Sequence, residues 1–211
     1  MKKGLFVLAA AVAFVFTSCK DDVTINFSSD NIVVPVGSEE SEVLAYASAS
    51  DGSTVSVTGL DLTKIGEQTG TFKAGSASTT KSVKVSASPL AGRYSIHVLT
   101  SEGQELTSGD GWVTQATAGS EYNQIELGMV VGEYYIFEGK TSLTLTFNKG
   151  VGSIESFTGK LLFSSEGGMT FTFTNVNYAL VNGKYSLQGF DVTCVKTGFN
   201  DSFYTVRLER K

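Results

Sequence analysis

Two five-residue runs constrain this chain more than anything else in it. Leu143-Thr144-Leu145-Thr146-Phe147 and Thr170-Phe171-Thr172-Phe173-Thr174 keep strict period two, so each presents one apolar and one polar face only as a strand. Val181-Asn182-Gly183-Lys184 adds a hairpin, since Asn-Gly accepts the positive φ angles of a type I′ turn. Further strands are expected at 93–98, where Tyr94, Ile96 and Val98 share a face, and at 112–117, 122–127, 133–137, 160–163, 184–188, 192–195 and 203–208. Roughly nine strands with no convincing helix must close into a barrel or pack face to face to hide their apolar sides.

Upstream, strands are expected at 24–27, 31–36, 41–49 and 54–58, with turns at Gly37-Ser38 and Asp51-Gly52-Ser53 and a closing strand through Val83-Lys84-Val85. Turn signals every 8 to 12 residues or so describe a small sandwich. The breaker cluster Ser88-Pro89-Leu90-Ala91-Gly92 then sets a boundary, giving one unit over 24–88 and a larger one over 89–211. Only two prolines, with many aromatic and β-branched residues, fit an all-β chain.

The first residues bear on address. Met1-Lys2-Lys3 precedes an apolar run from Gly4 to Phe16, then Thr17-Ser18-Cys19, the form of a secretory signal over 1–18 and too short to span a bilayer. The cysteine at the cleavage point resembles the lipobox of bacterial lipoproteins, with Phe16 where leucine is usual. That resemblance implies a diacylated Cys19 as mature N-terminus, and more than one acyl chain anchors stably. Lys20-Asp21-Asp22 directly after it resembles the export signal of surface lipoproteins in the Bacteroidota, so 19–23 is expected to be anchor and export signal. The expected location is the outer membrane, lipid-anchored and facing outward.

Two wider resemblances follow. Pro35-Val36-Gly37, Ala49-Ser50-Asp51-Gly52, Val55-Ser56-Val57-Thr58-Gly59, Leu62-Thr63-Lys64-Ile65-Gly66, Gly70-Thr71-Phe72 and Val83-Lys84-Val85 resemble the immunoglobulin-like modules of bacterial surface proteins. Leu90-Ala91-Gly92-Arg93-Tyr94, Gly132-Glu133-Tyr134-Tyr135-Ile136-Phe137 and Phe203-Tyr204-Thr205-Val206-Arg207-Leu208 are similar to two-domain lipoproteins of gut Bacteroidota that accompany SusC/SusD-type nutrient importers. The expected fold is therefore all-β: an Ig-like β-sandwich followed by a larger antiparallel β-sandwich or lipocalin-like barrel.

Chemistry is constrained mostly by what is missing. His97 is the sole histidine, no Gly-x-Ser-x-Gly occurs, and neither a P-loop nor Gly-x-Gly-x-x-Gly follows a strand. With Cys19 acylated, only Cys194 remains, placed on a strand as a small apolar residue without an adjoining basic cluster to activate it. Lys2 and Lys3 leave with the signal, so 14 of the 16 basic residues face 21 acidic ones, near −7, which offers nothing to nucleic acid. Glu133, Glu138 and Asp191 could form a glycosidase pair, but such pairs arise by chance among so many carboxylates. Asp51-Gly52 and Gly109-Asp110-Gly111 lack the alternating ligands of a calcium loop. No catalytic residue, metal or cofactor is expected. The remaining candidates are Trp112, Tyr122, Tyr134 and Tyr135, whose rings could stack on a glycan or a peptide side chain. Function is thus expected to be non-enzymatic: accessory glycan or peptide binding beside a SusC/SusD-type importer. The alternatives are a structural or adhesive surface protein and, behind it, a glycan hydrolase.

Overall fold

A computed structural model describes residues 22–107, 110–131, 134–161, 167–198 and 200–211. The first unit holds β1 (Ile25–Phe27), β2 (Ile32–Pro35), α1 (Glu40–Leu44), β3 (Ala47–Ala49), β4 (Ser56–Thr58), β5 (Gly66–Ala74) and β6 (Ala77–Ser86). Its main sheet runs β2-β6-β5-β4, with β2 parallel to β6 (Ile32↔Val83, Val34↔Val85) and the other neighbours antiparallel. The β1–β3 pair covers this sheet, Phe27 meeting Phe72 edge to face at 5.0 Å. Between the two sheets lie Ile32, Val57, Phe72, Val83 and Val85, all buried. This is a small β-sandwich.

One expected strand differs. Residues 41–49 were expected to be extended because Val43, Ala45 and Ala47 share a parity, yet the first half is α1. Glu42 Oε1 accepts from the backbone N–H of Glu39 at 3.2 Å, and Glu40 and Glu42 place negative charge in the first turn. Val43 then points inward and is wholly buried. Local capping outweighs a weak alternation, and only β3 stays extended.

A 3-10 turn (Ser88–Leu90) falls at the expected breaker cluster and leads into the second unit. Its strands are β7 (Gly92–Thr100), β8 (Trp112–Ala118), β9 (Gln124–Gly128), the short pair β10 (Val130–Val131) and β11 (Tyr134–Tyr135), β12 (Ser142–Asn148), β13 (Val151–Ile154) and β14 (Phe157–Gly159). They end with β15 (Met169–Val181), β16 (Lys184–Val195) and β17 (Ser202–Arg210). Neighbours in the sheet are β13-β12-β9-β8-β7-β17-β16-β15, all antiparallel, and β13 pairs back onto β15, so the sheet closes as an eight-stranded barrel. The chain winds up and down, and the last strand pairs with the first over Tyr204↔Thr100 to Arg210↔Tyr94. Of the two expected forms, this is the lipocalin-like barrel.

The two period-two runs do what their pattern requires. Leu143, Leu145 and Phe147 of β12 and Phe171 and Phe173 of β15 point inward and are buried. Asn182 and Gly183 take φ of 50° and 76°, making the β15–β16 hairpin. At the closing seam, β13 and β14 are two pieces of one strand. Gly152↔Val176 and Phe157↔Phe171 keep one register across a break at Glu155-Ser156. A Cβ on Gly152 would lie 2.6 Å from the Val176 carbonyl oxygen, so the seam closes because nothing is there.

One barrel end is sealed. Tyr94, fully buried, donates its hydroxyl to Leu90 O (2.8 Å) and accepts from Leu187 N–H (3.2 Å). Arg210 lies over the Tyr94 ring and donates to the carbonyls of Pro89, Ala91 and Tyr185 at 2.9, 2.6 and 2.7 Å. The first unit abuts this same end. Tyr178 accepts from Ile65 N–H (2.8 Å) and donates to Thr63 O (3.1 Å), Gly150 N–H donates to Ile65 O (2.8 Å), and Ala87 N–H donates to Tyr122 O (2.8 Å). At Gly66 an added Cβ would sit 2.5 Å from Lys149 N, which is how close the two backbones run. A single apolar cluster passes from the sandwich into the barrel.

Candidate functional site at the open end of the barrel

The opposite end is built otherwise. There the inward residues of β7, β15, β16 and β17 are Val98, Met169, Val192, Cys194 and Val206, and they do not meet across the axis. Leu106 from the β7–β8 connection, with Ile136, Phe137 and Leu161, completes a cavity of about 220 Å³. Ser202 and Tyr204 supply hydroxyls to the lining. An apolar cavity of about 150 Å³ stays dry and admits benzene, so this one has room for a ring or a branched aliphatic group.

Its walls are positioned by packing. Phe137 makes edge contacts with Phe157, Phe171 and Phe173 at 5.4, 5.0 and 6.0 Å, fixing one side. The segment bearing Ile136 and Phe137 is pinned where Ile136 N–H donates to Met129 O and Glu138 N–H to Lys160 O, both at 2.8 Å. Leu106 N–H donates to Val98 O at 2.8 Å. Outside the same connection, His97 Nδ1 and Glu105 Oε1 are 2.7 Å apart. A hydrogen bond from Thr107, then one with His97, holds the Glu105 carboxyl below its ordinary range.

Among the described residues, the lining carries no carboxylate, imidazole or amine. Its one reactive atom is Cys194 Sγ, and burial pushes that thiol up to about 11, so it is protonated and a poor nucleophile at neutral pH. The arrangement can bind an apolar group.

Two of the four aromatic residues expected to form a site, Trp112 and Tyr122, lie towards opposite ends of the barrel. Trp112 opens β8 near the mouth, half-buried against the core, whereas Tyr122 follows β8 at the sealed end under the Lys84 ammonium, 5.4 Å from its ring centre. Burial raises the Tyr122 hydroxyl above its ordinary pKa. Tyr134 and Tyr135 form β11 against Val131 and Val130. Asp22 is exposed, while Cys19, Lys20, Asp21, Glu133 and Gly109 lie outside the described residues. Asp191 sits on the outer wall, accepting from Asn175 Nδ2 (2.6 Å) and Thr205 Oγ1 (2.8 Å), and Glu138 approaches Lys160 at 3.8 Å. Asp51 caps its own turn through Ser53 N–H. Among the described residues, no group of three or more His, Cys, Asp or Glu side chains could hold a metal, and no helix is long and apolar enough to cross a membrane.

Comparison with protein-family models, curated proteins and solved structures returns no match.

Proposed function

We propose that this chain is a non-enzymatic lipoprotein of the outer-membrane surface that binds a ligand as an accessory part of a SusC/SusD-type nutrient uptake system. The observation that carries the binding half is the apolar hollow at the barrel's open end, against an opposite end closed by the Tyr94 and Arg210 hydrogen bonds. The anchor and the importer rest on Cys19, on Lys20-Asp21-Asp22 and on the order of the two units.

The cavity's chemistry also ranks the ligands. A buried sugar would leave several hydroxyls with, among the described residues, only the Ser202 and Tyr204 side chains to answer them, at a cost of about 1–3 kcal/mol for each one unpaired. An apolar peptide side chain gains about 25 cal/mol per Å² removed from water. Peptides with an exposed aromatic or branched residue are the favoured class.

Titration calorimetry with peptide and oligosaccharide panels tests this. Apolar-ended peptides are expected to bind, and Val192→Phe, which narrows the hollow, to weaken binding. Tight oligosaccharide binding unchanged in Val192→Phe would refute the assignment of the cavity as the site.

A further inference from the structure

The anchor and the mouth lie at opposite ends of the molecule. The first described residues sit at the sandwich's far edge: Val23 packs 3.9 Å from where a Cβ on Gly75 would lie, in the β5–β6 turn, and Thr24 exchanges hydrogen bonds with Ser50. From there β1 and β2 run towards the barrel. Pro35 reaches Ser86 at the near end of β6, and Gly37 abuts the Tyr185 ring beyond it. The sandwich meets the sealed barrel end, and the hollow opens at the other.

We propose that the protein stands on the bilayer by the far edge of its sandwich and presents the barrel mouth outward, so that ligand is taken from the medium and not from the membrane beneath. This rests on the reading of Cys19 as the lipid anchor. Cys19 precedes Val23 by four residues, a tether of at most about 14 Å. The ten residues of β6 measure about 33 Å along the strand, and the tilted barrel wall adds roughly 20 Å more. The wall itself gives tipping over little help. Thr172, Thr174, Asp191 and Thr205 face outward there, and the exposed Phe203 ring and Arg207 guanidinium on either side of Thr205 add little for lipid to hold.

The test uses the full acylated protein in vesicles containing headgroup-nitroxide lipid. In a Cys194→Ala background, a fluorophore is placed in turn at three exposed positions: Ser76→Cys in the far turn, Thr172→Cys on the wall and Thr197→Cys at the mouth. Quenching is expected to be several-fold stronger at position 76 than at 172 or 197. Equal or stronger quenching at 172 or 197 overturns the orientation while leaving ligand binding intact. The mass of the N-terminal peptide separates the two failures: an unmodified Cys19 removes the anchor reading and this inference together.

Discussion

The two ends of the barrel share strands but not purpose. At the sealed end, Tyr94 and Arg210 reach inward and tie the 3-10 turn to β16. At the mouth, the same strands carry valines, a methionine and a cysteine that leave the axis empty. One wall therefore serves as both rigid base and receptacle, and the division is made by side-chain size and polarity alone.

The sharpest way to break that comparison is at Tyr94. Tyr94→Ala should cost about 3–5 kcal/mol in denaturant unfolding, and Tyr94→Phe about 1–3 through the orphaned Leu187 N–H. Next comes the junction, where Tyr178→Phe should cost about 1–2 kcal/mol. Burial raises the Tyr178 pKa, so its stabilising effect is complete below the ordinary value of 10 and is lost as pH rises through the folded one. Unfolding monitored across alkaline pH should show wild type weakening there and Tyr178→Phe weakening less.

At the mouth the expected stability effects are smaller. Val192→Phe fills space that is already empty and should change unfolding by less than about 1.5 kcal/mol. Cys194 should alkylate slowly at neutral pH, speed up only on approach to about 11, and slow further when a bound peptide covers it. A thiol that reacts at an exposed rate at pH 7 would mean the hollow is not apolar. The smallest effect belongs to Glu105→Gln. The depressed carboxyl stabilises above its ordinary pKa and loses that as pH falls through the folded value, but full exposure leaves the unfolding midpoint nearly unchanged at neutral pH.

The strands and turns were far more legible in sequence than the hollow they enclose. Alternation at 143–147 and 170–174, Asn182-Gly183 and the Ser88-Pro89 breaker each act through local geometry, so each could be read directly. The helix Glu40–Leu44 was hidden by a chance parity, although Glu39 and Glu42 three residues apart were a capping signal on view. The cavity left no such trace. Val98, Val192 and Val206 look like any inward strand residue, and Leu106 and Leu161 come from connections whose position depends on the closed barrel. Trp112 and Tyr122 stand out in sequence by residue type, which carries no information on spatial convergence.

The break at Glu155-Ser156 gives the barrel a preferred line of rupture. From β15 through β16 and β17 to β7 adjacent strands are laced along most of their length, but here the lacing skips between Gly152 and Phe157. Amide protons bordering this gap should exchange with solvent ahead of those in β16 and β17, and any larger guest forced into the hollow would split the cylinder along the same side.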